Sequence, residues 1–205
     1  MNIVFVVILS VVALAIIAFV YVTVRTRRAP INLPKEGRQI PNDQLMKGVD
    51  NMLQEGRAAI IFVKGYSMLP FIIGGVESVR LRKPEGNLKV GNVVLARVLE
   101  GYYVIHRIYH ITPQGGIILM GDGNCGNGRD RGVEHTTASL VVGIATEVIG
   151  KNGDERSLYT PWRNMKATGW RWLLPVRRWL LAIYRRTALK WKAKGVDMKG
   201  QKIEN

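Results

Sequence analysis

The sequence is short of the side chains that most readily declare a chemistry. Its one cysteine, Cys125, cannot close an intramolecular disulfide. Only three histidines occur, His106, His110 and His135, and no lysine lies between Lys89 and Lys151. A general base in the centre of the chain must therefore be sought first among the histidines. Internal repeats, low-complexity segments and cofactor motifs are missing, so no cofactor is expected. The one metal-like string, Gly121-Asp122-Gly123-Asn124, lacks the alternating carboxylates and terminal glutamate of a calcium loop.

Charge is absent from residues 1–24, and acidic residues are nearly absent from the end. Residues 29–160 hold 15 basic and 13 acidic side chains, whereas residues 161–205 hold 12 basic and 2 acidic. The net charge of +15 thus sits mainly in the tail. A near-neutral centre argues against a nucleic-acid-binding core, and no nucleic-acid partner is expected. A basic tail argues for attraction to an anionic surface.

Four stretches follow in order. Residues 1–28 hold an uncharged run over 3–24, roughly 33 Å long as a helix and enough to cross a bilayer. The run is long, and its basic residues Arg25, Arg27 and Arg28 come after it rather than before, so a retained single-pass anchor is favoured over a cleaved signal peptide. By the positive-inside rule those arginines place the following domain in the cytoplasm. Residues 29–57 read as a Pro-punctuated tether and one short helix through about Gln54, capped by Asn42 or Asp43. Its apolar face is Leu45, Val49, Met52 and Leu53, and Gly56 ends it. A single helix is too little for a helix-turn-helix domain. Residues 58–150 read as β, with strands near 58–63, 76–82, 93–98, 102–111, 116–120 and 140–149 and hairpin turns at Glu100-Gly101 and Pro113-Gln114-Gly115. Short strands at this spacing predict a mainly β fold: a small, coiled, antiparallel, β-barrel-like domain. Residues 151–205 carry all five tryptophans among Arg, Lys and Leu. That pattern suits a basic amphipathic helix in a lipid headgroup layer. It also suits a helix packed on the β domain with its arginine stems snorkelling.

Candidate chemistry begins at Lys64-Gly65-Tyr66-Ser67-Met68-Leu69-Pro70-Phe71. Gly65 permits a sharp turn and Pro70 blocks a regular ladder, so the Ser67 hydroxyl is expected at a bend off a strand end. The stretch from Met68 to Ile73 would line substrate pockets or touch lipid. A serine nucleophile needs a base. His106 sits in an apolar strand, where alternation puts Tyr102, Val104, His106 and Ile108 on one face. His110 shares that face, and His135 lies in a polar loop; both remain alternatives. Asp122, at a Gly-Asp-Gly turn, and Asp130, between Arg129 and Arg131, are candidates to accept a hydrogen bond from the histidine. Each also has an ordinary role, Asp122 as a turn residue and Asp130 as an ion-pair partner.

The order of these strings is more specific than any one of them. Gly-x-Ser-Met-x-Pro precedes Gly-Asn-Val-Val-Leu-Ala, then Val-Ile-His-Arg-Ile, Met-Gly-Asp-Gly-Asn, Asp-Arg-Gly and Val-Val-Gly. From about residue 58 to 150 the chain resembles the catalytic core of the signal peptidase I and self-cleaving repressor superfamily. It is most similar to the endoplasmic-reticulum and archaeal branch, which uses Ser-His with aspartate support in place of Ser-Lys. The resemblance implies a mostly β peptidase domain, Ser67 as nucleophile and His106 as base. It matches Asp122 and Asp130 to the two family aspartates, with Asp130 preferred as the one that orients His106. Gly123 stands where the family has asparagine, and the Asp122–Asp130 spacing is longer than usual. The implied activity is a membrane-anchored serine endopeptidase that removes signal or leader peptides from a preprotein, with anionic lipid contacted by the tail. A cytoplasm-facing peptidase with a non-secretory substrate, or an inactive membrane-surface module, are the alternatives. A self-cleaving regulator would need an Ala-Gly or Cys-Gly pair before the core, and residues 29–66 contain none.

Overall fold

A computed structural model of the chain describes residues 42–125 and 132–187. The expected span at 3–24, most of the tether, Asp130 and the end of the basic tail lie outside these residues. Among the described residues no helix is long and apolar enough to cross a membrane.

The chain runs α1 (Asn42–Gln54), β1 (Ala59–Phe62), β2 (Ser78–Arg82), β3 (Val93–Arg97), β4 (Tyr103–Ile111), β5 (Gly116–Met120), β6 (Val133–Thr137), a 3-10 turn (Ala138–Leu140), β7 (Val141–Ile149), β8 (Glu155–Ser157), α2 (Pro161–Trp172) and α3 (Arg177–Thr187). Eight strands, all paired antiparallel, form one sheet in the order β1-β2-β7-β3-β4-β5-β6, with β8 on the flank of β7. Both expected turns are present. Val98 N–H donates to the Tyr102 carbonyl at 2.9 Å, and Thr112 N–H to that of Gly116 at 2.8 Å.

Register shifts at Arg80/Leu81, Leu95/Ala96 and Ile108/His110 add coil to the sheet. It nevertheless stays open, because β1 and β6 stand at opposite edges and do not pair. The barrel-like expectation is corrected to an open coiled sheet: β1 is only four residues long and gives way at once to the serine loop. The sequence reading also left out β6 and β8, both short and polar.

Three apolar clusters hold these elements together. Met46, Val49 and Leu53 of α1 pack on Ala59, Val79, Leu81, Val93, Leu95, Ala145 and Val148 of one sheet face. Met46 is inside and Leu45 exposed, so the buried helix face is rotated from the expected one. Val94, Ala96, Ile108, Ile117 and Leu119 cover the other face. β3 is therefore apolar on both sides, which explains its unbroken Val93-Val94-Leu95-Ala96 run. The third cluster joins the serine loop to α2 and α3 through Leu69, Ile73, Trp170, Leu180, Leu181 and Tyr184. Thr160 caps α2 by accepting from Arg163 N–H, and Pro161 occupies the first turn, where its missing N–H costs nothing. The tail thus holds two helices rather than one, each with one face against the domain.

Candidate active site

Ser67 stands on a closed loop between β1 and β2. Val63 N–H donates to the Glu77 carbonyl at 3.1 Å, and Gly75 N–H to that of Val63 at 2.7 Å, tying the loop ends together. Gly65 turns the chain at φ +78°, a region glycine enters without strain. Met68 and Ile72 plunge into the α1 cluster, while Leu69 and Ile73 plunge into the α2–α3 cluster. Met68, Leu69, Ile72 and Ile73 are thus interior rather than lipid-facing, and Phe71 between them is half-buried. Their burial fixes the backbone on which the half-buried Ser67 rides.

The Gly121–Asn124 turn closes over this loop. Gly123 N–H donates to the Ser67 carbonyl at 2.6 Å. A β-carbon at Gly123 would stand 2.4 Å from the Tyr66 carbonyl oxygen, so the glycine found in place of asparagine has a steric cause here. Gly121 is as tight. A β-carbon there would meet the Ser67 carbonyl oxygen at 2.4 Å and His106 Nε2 at 3.1 Å. That one small gap, left by a missing methyl, brings the Ser67 backbone and the imidazole side by side.

His106 lies on β4, opposite Val94, and is buried. Its Nδ1 is 2.8 Å from Glu134 Oε2 on β6. The register explains the meeting. Ile108 pairs with Leu119, and Leu119 with Glu134, so all three share a face with His106. A carboxylate at Nδ1 favours the tautomer with its proton there, leaving Nε2 a free acceptor toward Ser67. Among the described residues the Ser67 hydroxyl is not hydrogen-bonded to the imidazole. His110 is exposed beyond the β4 bulge, and His135 is exposed on β6 rather than in a loop.

Neither expected aspartate is the group seen at Nδ1. Asp130 lies outside the described residues. Asp122 is engaged by Arg107, whose Nε donates to Oδ1 at 2.9 Å and whose second terminal nitrogen donates to Oδ2 at 2.7 Å. The same guanidinium donates to the Gly91 carbonyl at 2.7 Å and lies over the Phe71 ring. Burial alone would depress the Arg107 pKa; the Asp122 charge and its hydrogen bonds more than offset this and raise it. Asp122 is therefore engaged with Arg107 and anchors the turn, while Glu134 is the carboxylate at His106. Glu134 was missed because residues 133–137 alternate weakly. The available clue was the run of glycines between 121 and 132 in the sequence, a signal for a chain reversal; 133–137 do pair with 116–120.

The C-terminal helices grip the same turn. Trp170 Nε1 donates to the Asp122 carbonyl at 2.7 Å, and Arg177 donates to the carbonyls of Asn124 and Trp170, each at 2.9 Å. Burial lowers the Arg177 pKa, with the Asp122 charge working the other way. Among the described residues no group of three His, Cys, Asp or Glu side chains is placed to hold a metal ion. No protein-family model matches the chain, and no curated protein or solved structure matches it, so the family resemblance stands on these residues alone.

Proposed function

We propose that the chain is a membrane-anchored serine endopeptidase acting on signal or leader peptides, with Ser67 as nucleophile, His106 as base and Glu134 as the carboxylate that orients it. One observation carries this reading: His106 is held by Glu134 at Nδ1 while its Nε2 faces the Ser67 backbone across Gly121.

In the first half-reaction His106 Nε2 takes the Ser67 Oγ proton as Oγ bonds to the scissile carbonyl carbon. Ser67 N–H is the available donor for the oxyanion. The proton passes to the departing amine nitrogen, the C–N bond breaks, and the acyl-enzyme remains. Water then attacks, with His106 again accepting a proton and returning it to Ser67. Glu134 supports the imidazolium that forms twice in this cycle. The hydroxyl must turn to Nε2 for the first transfer, a tightening that substrate binding commonly brings.

Incubating the full chain in lipid with candidate precursor peptides, beside the Ser67→Ala variant, tests the reading. Cleavage by the parent and none by the variant is expected; cleavage that persists in the variant overturns it. Arg25, Arg27 and Arg28 after the uncharged run favour a second version, in which the domain faces the cytoplasm and cuts a non-secretory substrate. A topology reporter fused after Asn205 separates the two.

A further inference from the structure

The helices that grip the catalytic turn with one face leave a second face uncovered. Trp162, Met165 and Trp172 recur at helical spacing along α2, and Trp179 and Ile183 along α3, with Val176 between them; all six are exposed. Trp172 is 83% exposed and Trp179 is 71% exposed, whereas Trp170, the tryptophan turned inward, is 3% exposed. Half-buried Leu173 and Leu174 and exposed Pro175 continue the apolar rim between the helices. Half of the exposed large apolar side chains among the described residues thus gather on this pair of helices, and apolar surface gathered in this way marks an interaction site.

Charge identifies what covers it. Residues 161–187 contain seven basic side chains and no acidic one. Arg177 is spent inside the domain, but Arg178 beside Trp179 is exposed. Lys166 sits over the Trp162 ring, 5.0 Å from its centre. Tryptophan prefers the boundary between hydrocarbon and water, and a purely cationic rim suits a layer of anionic headgroups. The uncharged run at 3–24 on the same chain is long enough to enter a bilayer.

We propose that the outer face of α2 and α3 docks on an anionic phospholipid surface, with Trp172 and Trp179 inserted at the headgroup level. The domain would then be fixed to lipid at two places, and the second place is joined through Trp170 and Arg177 to the turn beside Ser67. This proposal does not depend on Ser67 being a nucleophile, since its test reads no cleavage.

The test uses the full chain reconstituted in vesicles of phosphatidylcholine brominated on its acyl chains, alone or mixed in equal parts with phosphatidylglycerol. All five tryptophans lie between Trp162 and Trp191, so intrinsic emission reports this region. The expected result is quenching in the mixed vesicles that shrinks in the Trp172→Phe/Trp179→Phe double variant and in Arg178→Glu, and that weakens without phosphatidylglycerol. These positions are exposed, and near-ultraviolet circular dichroism from buried Trp170 checks that each variant is folded. Equal quenching in parent and double variant overturns lipid insertion. Equal quenching with and without phosphatidylglycerol overturns the anionic assignment. Cross-linking through this face to a second copy in lipid-free detergent, retained in vesicles, gives the face to self-association and overturns the proposal.

Discussion

His106 on β4 and Glu134 on β6 meet across an intervening strand, Nδ1 to Oε2 at 2.8 Å, with both side chains largely withdrawn from water. They reach each other because Ile108 pairs with Leu119 and Leu119 with Glu134, and the missing side chain at residue 121 leaves the other ring nitrogen close to the Ser67 carbonyl. A buried imidazole–carboxylate pair of this kind restricts the ring to one orientation. It leaves the other nitrogen, Nε2, as the one the proposed mechanism uses.

Glu134→Gln keeps the size of the side chain but removes its charge. It should lower kcat by about 10²–10⁴ with little change in KM, and Glu134→Asp should recover part of the loss. Asp122→Asn should behave differently. It leaves Arg107 buried and unneutralised, which costs about 3–5 kcal/mol of stability, read as a lowered denaturation midpoint. If Asp122→Asn abolishes cleavage without destabilising the fold while Glu134→Gln is silent, the assignments are reversed.

Replacing His106 by Ala should remove activity as completely as Ser67→Ala, a fall of about 10³-fold or more in kcat/KM for each. The double variant should be no worse than either single one, because the two act as a unit. Activity retained in His106→Ala but lost on changing His110 or His135 would move the base elsewhere.

Two glycine-to-alanine changes should have opposite signs. Gly121→Ala places a methyl against the Ser67 carbonyl and the imidazole, and should cost about 1–3 kcal/mol together with most of the activity. Gly48→Ala, in the exposed middle of α1 with open space around it, should stabilise by about 0.5–1 kcal/mol and leave cleavage unchanged. Chemical denaturation curves measure both.

Tyr159 supplies a pH-dependent prediction. Its hydroxyl oxygen accepts from Val93 N–H at 3.0 Å, and burial raises its pKa above the ordinary value of 10.0. The folded state therefore favours the neutral phenol. That contribution to stability is complete below pH 10 and is lost as pH rises through the raised value. Tyr159→Phe should be less stable at neutral pH, since Val93 N–H loses its acceptor, yet its stability should fall less steeply in alkali. Equal slopes for the two proteins would contradict this.

Much of the sheet was legible because its strands announce themselves locally. The expected strand at 116–120 has the observed bounds, and those at 93–98 and 102–111 differ from β3 and β4 by a residue at one end. What could not be read was long-range. The α1 face was misjudged at Leu45 because the choice between Leu45 and Met46 depends on where the sheet lies. Asp122 was drawn toward His106 because a Gly-Asp-Gly turn after a histidine strand invites that pairing. Its real partner, Arg107, is the next residue along β4 on the opposite face. Glu134 went unnoticed because β6 is polar and short, and only the hairpin register carries its carboxylate to the imidazole.

The grip of Trp170 and Arg177 on the Asp122 and Asn124 carbonyls also sets an order of assembly. Translation delivers Ser67, His106 and Glu134 well before residues 170 and 177. The turn that seats the serine therefore lacks these braces until residues 170 and 177 have been made. Truncation anywhere between Thr160 and Arg177 should leave a sheet with its strands in place and a loosened centre. Forms clipped there would keep Ser67, His106 and Glu134 yet lack the contacts that hold the Asp122 and Asn124 carbonyls in place.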